Sequence, residues 1–134
     1  MSLLQTLAAH IGTMAAARQL APNGVLLGPA GADAVLTLCD EGEQRAECDI
    51  AGSRTAVRAY ALYFRTVLLT QSERALAQSL CEMLCAQLNA APLPAAQADD
   101  TGSLQDLHCG GVQTTSLDDS GRCTWRVPLW VEVR

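Results

Sequence analysis

The sequence predicts an α+β fold: two helices packed on one face of a mainly antiparallel sheet of roughly four or five strands, in a single domain over 1–134. Three observations carry this expectation. Leucines recur at helical spacing in two separated stretches. Segments with β-branched, aromatic or alternating residues lie between and after those stretches. Turn chemistry joins the last two strand-like segments.

In chain order, Leu3, Leu4, Leu7, Ile11 and Met14 form an apolar stripe over 3–19, with Ser2 as a candidate cap and Pro22-Asn23-Gly24 as the stop. His10 stands at the edge of that stripe, where a partly exposed helix histidine is the plain reading. Val25–Leu27 is a short apolar piece. Ala34–Cys39 reads as a strand, Asp40-Glu41-Gly42 as a turn, and Gln44–Ile50 as a returning strand. Arg54–Leu69 favours a strand by its aromatic and β-branched content, while its alanines and length keep a helix open. Thr70 and Glu73 have the spacing of a capping box, and Leu76, Leu80, Met83, Leu84 and Leu88 follow at helical spacing to about Asn89. Pro92 and Pro94 prevent continuation, and residues 90–106 read as a long, mobile loop. Leu107–Leu117 reads as a strand interrupted at Gly110-Gly111 by a bulge, and Asp118-Asp119-Ser120-Gly121 as the hairpin turn into the final strand.

At 134 residues a fold buries about two thirds of the surface its unfolded chain exposes, so the core needs no metal or disulfide staple. Aromatic residues are only 4%, so Leu, Ala and Val must build most of that core. Net charge is −5, and all nine basic residues are Arg, with no basic cluster; this argues against a nucleic-acid surface. No apolar run approaches the ~20 residues of a membrane helix. The first 19 residues lack the positive region of a secretory signal, so the six cysteines are expected to be reduced thiols.

Few residues look chemical. Cys81 and Cys85 are one helical turn apart, and His108-Cys109 could complete a metal quartet, yet adjacent strand residues point to opposite faces. Buried free cysteine is the alternative for the pair beside the leucine stripe. Asp99-Asp100 and Asp118-Asp119 fit turns better than acid–base catalysis, and the stretch GPAGAD at 28–33 lacks the Lys-Ser/Thr ending of a phosphate loop. The reading is of a protein that is not an enzyme, with no cofactor and no metal.

The final strand, RCTWRVPLWVEVR, raises a different question. Its odd positions, Cys123 to Val133, are all apolar, whereas its even face carries Arg126, Pro128 and Trp130 among polar residues. Pro cannot donate to a ladder, which places it on an edge strand or at a bulge. Either the chain covers this face itself, or an exposed aromatic there awaits another subunit; on the second reading Arg126, Pro128 and Trp130 form an interface.

The layout of the amphipathic first helix, the pair around AVLTLCDEG, the middle stretch IAGSRTAVRAYALYFRTVLLTQSERALAQSLCEMLCAQLN, the LP loop at Pro92-Leu93-Pro94 and the end TSLDDSGRCTWRVPLWVEVR resembles a group of small phage structural proteins, the minor capsid or tail-terminator-like proteins of the head–tail junction. The six cysteines are no part of that pattern. The resemblance implies a virion structural protein that self-associates into a ring, usually hexameric, contacting the tail tube and head-completion proteins. It implies no active site, assembly in the host cytoplasm and residence in the virion. Two other classes stay open: a small acidic adaptor or immunity-type binding module, and a thiol- or metal-dependent enzyme built on Cys81, Cys85, His108 and Cys109.

Overall fold

Leu3, Leu7 and Ile11 recur one turn apart and are all buried, which fixes the core face of the first helix, α1 (Leu3–Gly12). The computed structural model describes residues 3–22, 24–28, 35–48, 50–52, 54–67, 70–94, 104–114 and 122–134. The single helix expected over 3–19 is two. The amides of Thr13 and Met14 donate to the carbonyls of His10 and Ile11, three residues back, and the Thr13 hydroxyl also donates to His10 O at 2.6 Å. These tighter bonds end α1. Met14 is extended (φ −75°, ψ 138°), and α2 (Ala15–Leu20) restarts in a new direction that buries Ala16, Ala17 and Leu20.

β1 (Val25–Leu27) runs parallel to β2 (Val35–Cys48), which is paired antiparallel with β3 (Arg54–Val67). The turn expected at Asp40-Glu41-Gly42 is instead a bulge inside one long strand. The ladder passes from Asp40↔Tyr60 to Gly42↔Ala59 and leaves Glu41 unpaired. Gly42 takes φ +93°, which glycine adopts without penalty, and its amide donates to Asp40 Oδ1 at 2.8 Å. A second register shift follows between Glu43 and Arg45. The turn-like triplet therefore kinks the strand rather than reversing it. Residues 54–67 are strand, as their aromatic and β-branched content favours.

α3 (Gln71–Ala90) starts at Thr70, whose Oγ1 accepts from the Glu73 amide at 3.1 Å as the capping spacing predicts. Its buried stripe is Ala77, Cys81, Leu84 and Leu88. Leu76 and Met83, expected in the core, are 61% and 48% exposed. The helix is turned so that Ala77 and Cys81 face the core, a rotation the leucine pattern alone does not reveal.

β4 (Leu104–Cys109), β5 (Gln113–Thr114) and β6 (Arg122–Val133) complete the sheet. Leu104 to Asp106, expected in the 90–106 loop, are strand; residues 95–103 of that loop lie outside the described residues, as does the turn at 118–121. Among the described residues the sheet has six strands rather than four or five, in the order β1-β2-β3-β6-β4, with β5 also on β6. The difference has simple origins: the short piece 25–27 pairs, two expected strands fuse at the Glu41 bulge, and one divides at Gly110-Gly111. Among the described residues there are three helices rather than two, and α1, α2 and α3 contribute to one core with Leu36, Leu38, Tyr60, Leu62, Phe64 and the odd positions of β6. All three lie on one face of the sheet.

Candidate assembly surface

The other face of the sheet carries the even positions of β6. The register sets Leu26, Thr37, Tyr63, Arg126 and Gln113 side by side across β1, β2, β3, β6 and β5. The next row is Cys39, Ala61 and Pro128, and the next is Ala59, Trp130 and His108. Ala61 is fully buried and Ala59 nearly so, although neither belongs to the helix-facing core. Their cover comes from their own face.

Arg126 supplies part of that cover. Its guanidinium donates to Glu41 Oε1, to Tyr63 Oη at 3.3 Å and to Gln113 Oε1 at 3.2 Å. Glu41 belongs to β2 and Arg126 to β6, so the pair spans β3, which lies between them. The bulge leaves the Glu41 backbone without a ladder partner, and its carboxylate meets the guanidinium. Arg126 and Glu41 keep side-chain exposures of 25% and 33%, so the network is half-buried rather than solvated.

The expectation that Pro128 marks an edge strand is corrected: β6 is interior, flanked by β3 on one side and by β4 and β5 on the other. The bulge alternative explains the proline. Pro128 O accepts from the Gly110 amide at 3.1 Å. In an extended strand the nitrogen and carbonyl of one residue face the same neighbour, so the missing N–H falls where β4 stops at Cys109 and β5 resumes at Gln113. Three residues lie between Cys109 and Gln113, against two between their partners Leu129 and Arg126, which is the extra residue of a bulge. Pro128 itself is buried.

Trp130 is 38% exposed and stacks on His108, with ring centroids 5.9 Å apart. A Cβ at Gly110 would stand 2.9 Å from Trp130 Cζ3, so the ring rests against that glycine's backbone. The tryptophan is an anchored platform with one open side. Sequence reasoning named Arg126, Pro128 and Trp130 but missed Glu41, Tyr63, Gln113, His108 and Gly110 as their partners; cross-strand register, which one sequence does not reveal, brings these together.

The cysteines separate from His108. Cys81 and Cys109 are buried on the helix side, and the Cys85 thiol donates to Cys109 O at 3.2 Å. Asn89 closes the same corner by donating to Cys109 O and accepting from Cys109 N, both at 2.7 Å. His108 points to the opposite face, against Trp130. Burial, with a smaller contribution from Glu82, pushes the Cys81 thiol up to about 12. Burial and the Cys85 thiol also raise Cys109. Such thiols are held protonated and behave as apolar groups. Among the described residues, no group of three or more His, Cys, Asp or Glu is placed to hold a metal ion. His10 sits half-buried on α1, where burial lowers its pKa. No helix among the described residues is long and apolar enough to cross a membrane.

The sequence matches no family model and no curated protein. The fold, by contrast, is similar to that of a chain in a solved structure described as the virion of a native gene transfer agent (GTA) particle. The TM-score is 0.71 at 16% identity, over 98% of this chain and 94% of that chain. The likeness extends over nearly the whole chain, and at this identity it is a likeness of fold.

Proposed function

We propose that the chain is a structural protein of a phage or phage-like virion, acting at the neck as a tail terminator or head–tail joining component. On this reading it self-associates into a ring that contacts the tail tube and the head-completion proteins, and it performs no catalysis. The observation that carries the reading is the fold likeness over 98% of the chain to a component of a virion particle, found independently of the phage-like layout of the sequence. The sheet face opposite the described helices supports it further. A half-exposed tryptophan held flat by Gly110 and His108, beside a guanidinium already ordered by three partners, is a preorganised contact surface.

The test is native mass spectrometry of the wild-type chain and of Trp130→Ala, alone and with Arg126→Glu. Wild type is expected at multiples of its 14.2 kDa mass, and the variants as monomers with unchanged circular dichroism. Assembly that persists in both folded variants would remove this face from the proposal.

A further inference from the structure

Two cysteines that the assembly reading leaves unused meet between α3 and β4. Cys85 is half-buried on α3, and Cys109 is buried on β4. The Cys85 thiol donates to Cys109 O at 3.2 Å and also hydrogen-bonds with the Cys109 thiol. We propose that Cys85 and Cys109 are a redox pair, converted by a low-molecular-weight disulfide such as glutathione disulfide into a protein disulfide that locks α3 to β4. The pair is a modification site in its own right and stands whether or not the chain assembles.

Three features support this pairing. First, the two backbones are already held together. Asn89, one turn after Cys85, pairs with Cys109 N and Cys109 O, both at 2.7 Å. Second, the other cysteines fit less well. Cys81 stands one helical turn before Cys85, where Cβ atoms lie about 5–6 Å apart, against about 3.5–4.5 Å in a disulfide. Cys39 and Cys48 belong to β2, which β3 and β6 separate from β4. Third, access divides the roles. Half-buried Cys85 can meet an oxidant, whereas Cys109 is 1% exposed and can react only with its neighbour.

The Cys85 thiol gives up its proton, and its sulfur attacks glutathione disulfide. One glutathione thiolate leaves and is protonated, and Cys85 becomes a mixed disulfide. The Asn89 amide, 3.8 Å from Cys85 Sγ, donates to that sulfur as it gains charge. The Cys109 thiol then gives up its proton and its sulfur attacks Cys85 Sγ, so that the second glutathione leaves and is protonated. Two protein thiols are oxidised to one disulfide, and one glutathione disulfide is reduced to two thiols. Burial raises the Cys109 thiol, which makes it a poor leaving group and slows reopening.

The experiment incubates the folded full chain carrying Cys48→Ser, which removes an exposed thiol, with glutathione disulfide. Remaining thiols are alkylated in denaturant, and the chain is cleaved after Glu82 and Asp106 without reduction, which puts Cys81, Cys85 and Cys109 on separate peptides. Mass spectrometry should find the Cys85 and Cys109 peptides joined, and the melting temperature should rise by roughly 5–10 °C until a reductant is added. With Cys109→Ala added, Cys85 should stop as the glutathione mixed disulfide. With Cys85→Ser added instead, Cys109 should stay reduced. A chain whose Cys85 and Cys109 are both alkylated after incubation overturns the proposal, as does a cross-link of Cys81 to Cys85.

Discussion

Arg126 on β6 and Glu41 on β2 form an ion pair across an intervening strand, at a bulge that leaves the Glu41 backbone without a ladder partner. The pair therefore ties three strands on the face opposite the helices. Being half-buried, it should contribute more than a fully solvated pair. A double-mutant cycle of Arg126→Gln and Glu41→Gln in urea should give a coupling of about 0.5–1 kcal/mol. Coupling indistinguishable from zero would show that the bridge has no structural role.

Trp125 anchors the opposite face. It is 1% exposed, packs against Phe64 with centroids 6.0 Å apart, and donates its indole N–H to Gln78 Oε1 at 2.8 Å. Trp125→Ala should cost about 3–5 kcal/mol through the cavity it leaves. Trp125→Phe keeps much of the volume and loses only the indole bond to Gln78 Oε1, which still accepts from the Thr114 hydroxyl at 2.8 Å, and should cost less. A loss below about 1 kcal/mol for the alanine variant, read by denaturant titration, would contradict the assigned faces.

How much of this was legible can be judged from particular residues. The alternation of β6 identified Trp125 as core and Trp130 as outward, because a period of two assigns faces without knowledge of neighbours. The cap at Thr70 and the interruption at Gly110-Gly111 were legible for the same reason, since each is local. The Asp40-Glu41-Gly42 triplet was misread because a turn and a bulge share one local chemistry, and only the continuing partner strand decides between them. Pro128 was placed on an edge because the missing N–H was legible, whereas the gap between β4 and β5 that accepts it is a tertiary fact. Leu76 and Met83 were assigned to the core because they share helical spacing with Leu84 and Leu88; the helix instead buries Ala77 and Cys81.

Gly110 should be intolerant of side chains because of Trp130. Gly110→Ala places a methyl 2.9 Å from the indole and must displace it. The expected result is altered tryptophan fluorescence and a modest cost, about 1 kcal/mol. The same substitution in a Trp130→Ala background should be nearly neutral. Equal costs in both backgrounds would show that the ring does not rest there.

The buried thiols predict a stability loss in alkali. The Cys81 thiol is raised from 9.0 to about 12, so between those values the unfolded chain releases a proton that the folded chain retains. Its contribution is complete below pH 9.0 and is lost as the pH rises through about 12. Unfolding free energy should fall over that window, and Cys81→Ala, though less stable at neutral pH, should show a shallower decline. Identical pH slopes for the two proteins would contradict the assignment.

The corner at Asn89 gives a further expectation. Its amide pairs with both backbone groups of Cys109 at the sheet's edge, so Asn89→Ala leaves the Cys109 N–H unmet, while the Cys109 carbonyl keeps the Cys85 thiol. The loss should be about 1–3 kcal/mol. Hydrogen exchange at the Cys109 amide should accelerate; unchanged protection there would mean that another group holds the edge.

The central claim is a place at the neck of a virion, and the most direct measurement is where the chain sits in a particle. Particles assembled with a chain tagged after Arg134 and labelled with gold should carry label in electron micrographs at the head–tail joint, at one focus per particle. Label along the tail or over the head, or purified particles that contain none of the chain by mass spectrometry, would contradict it.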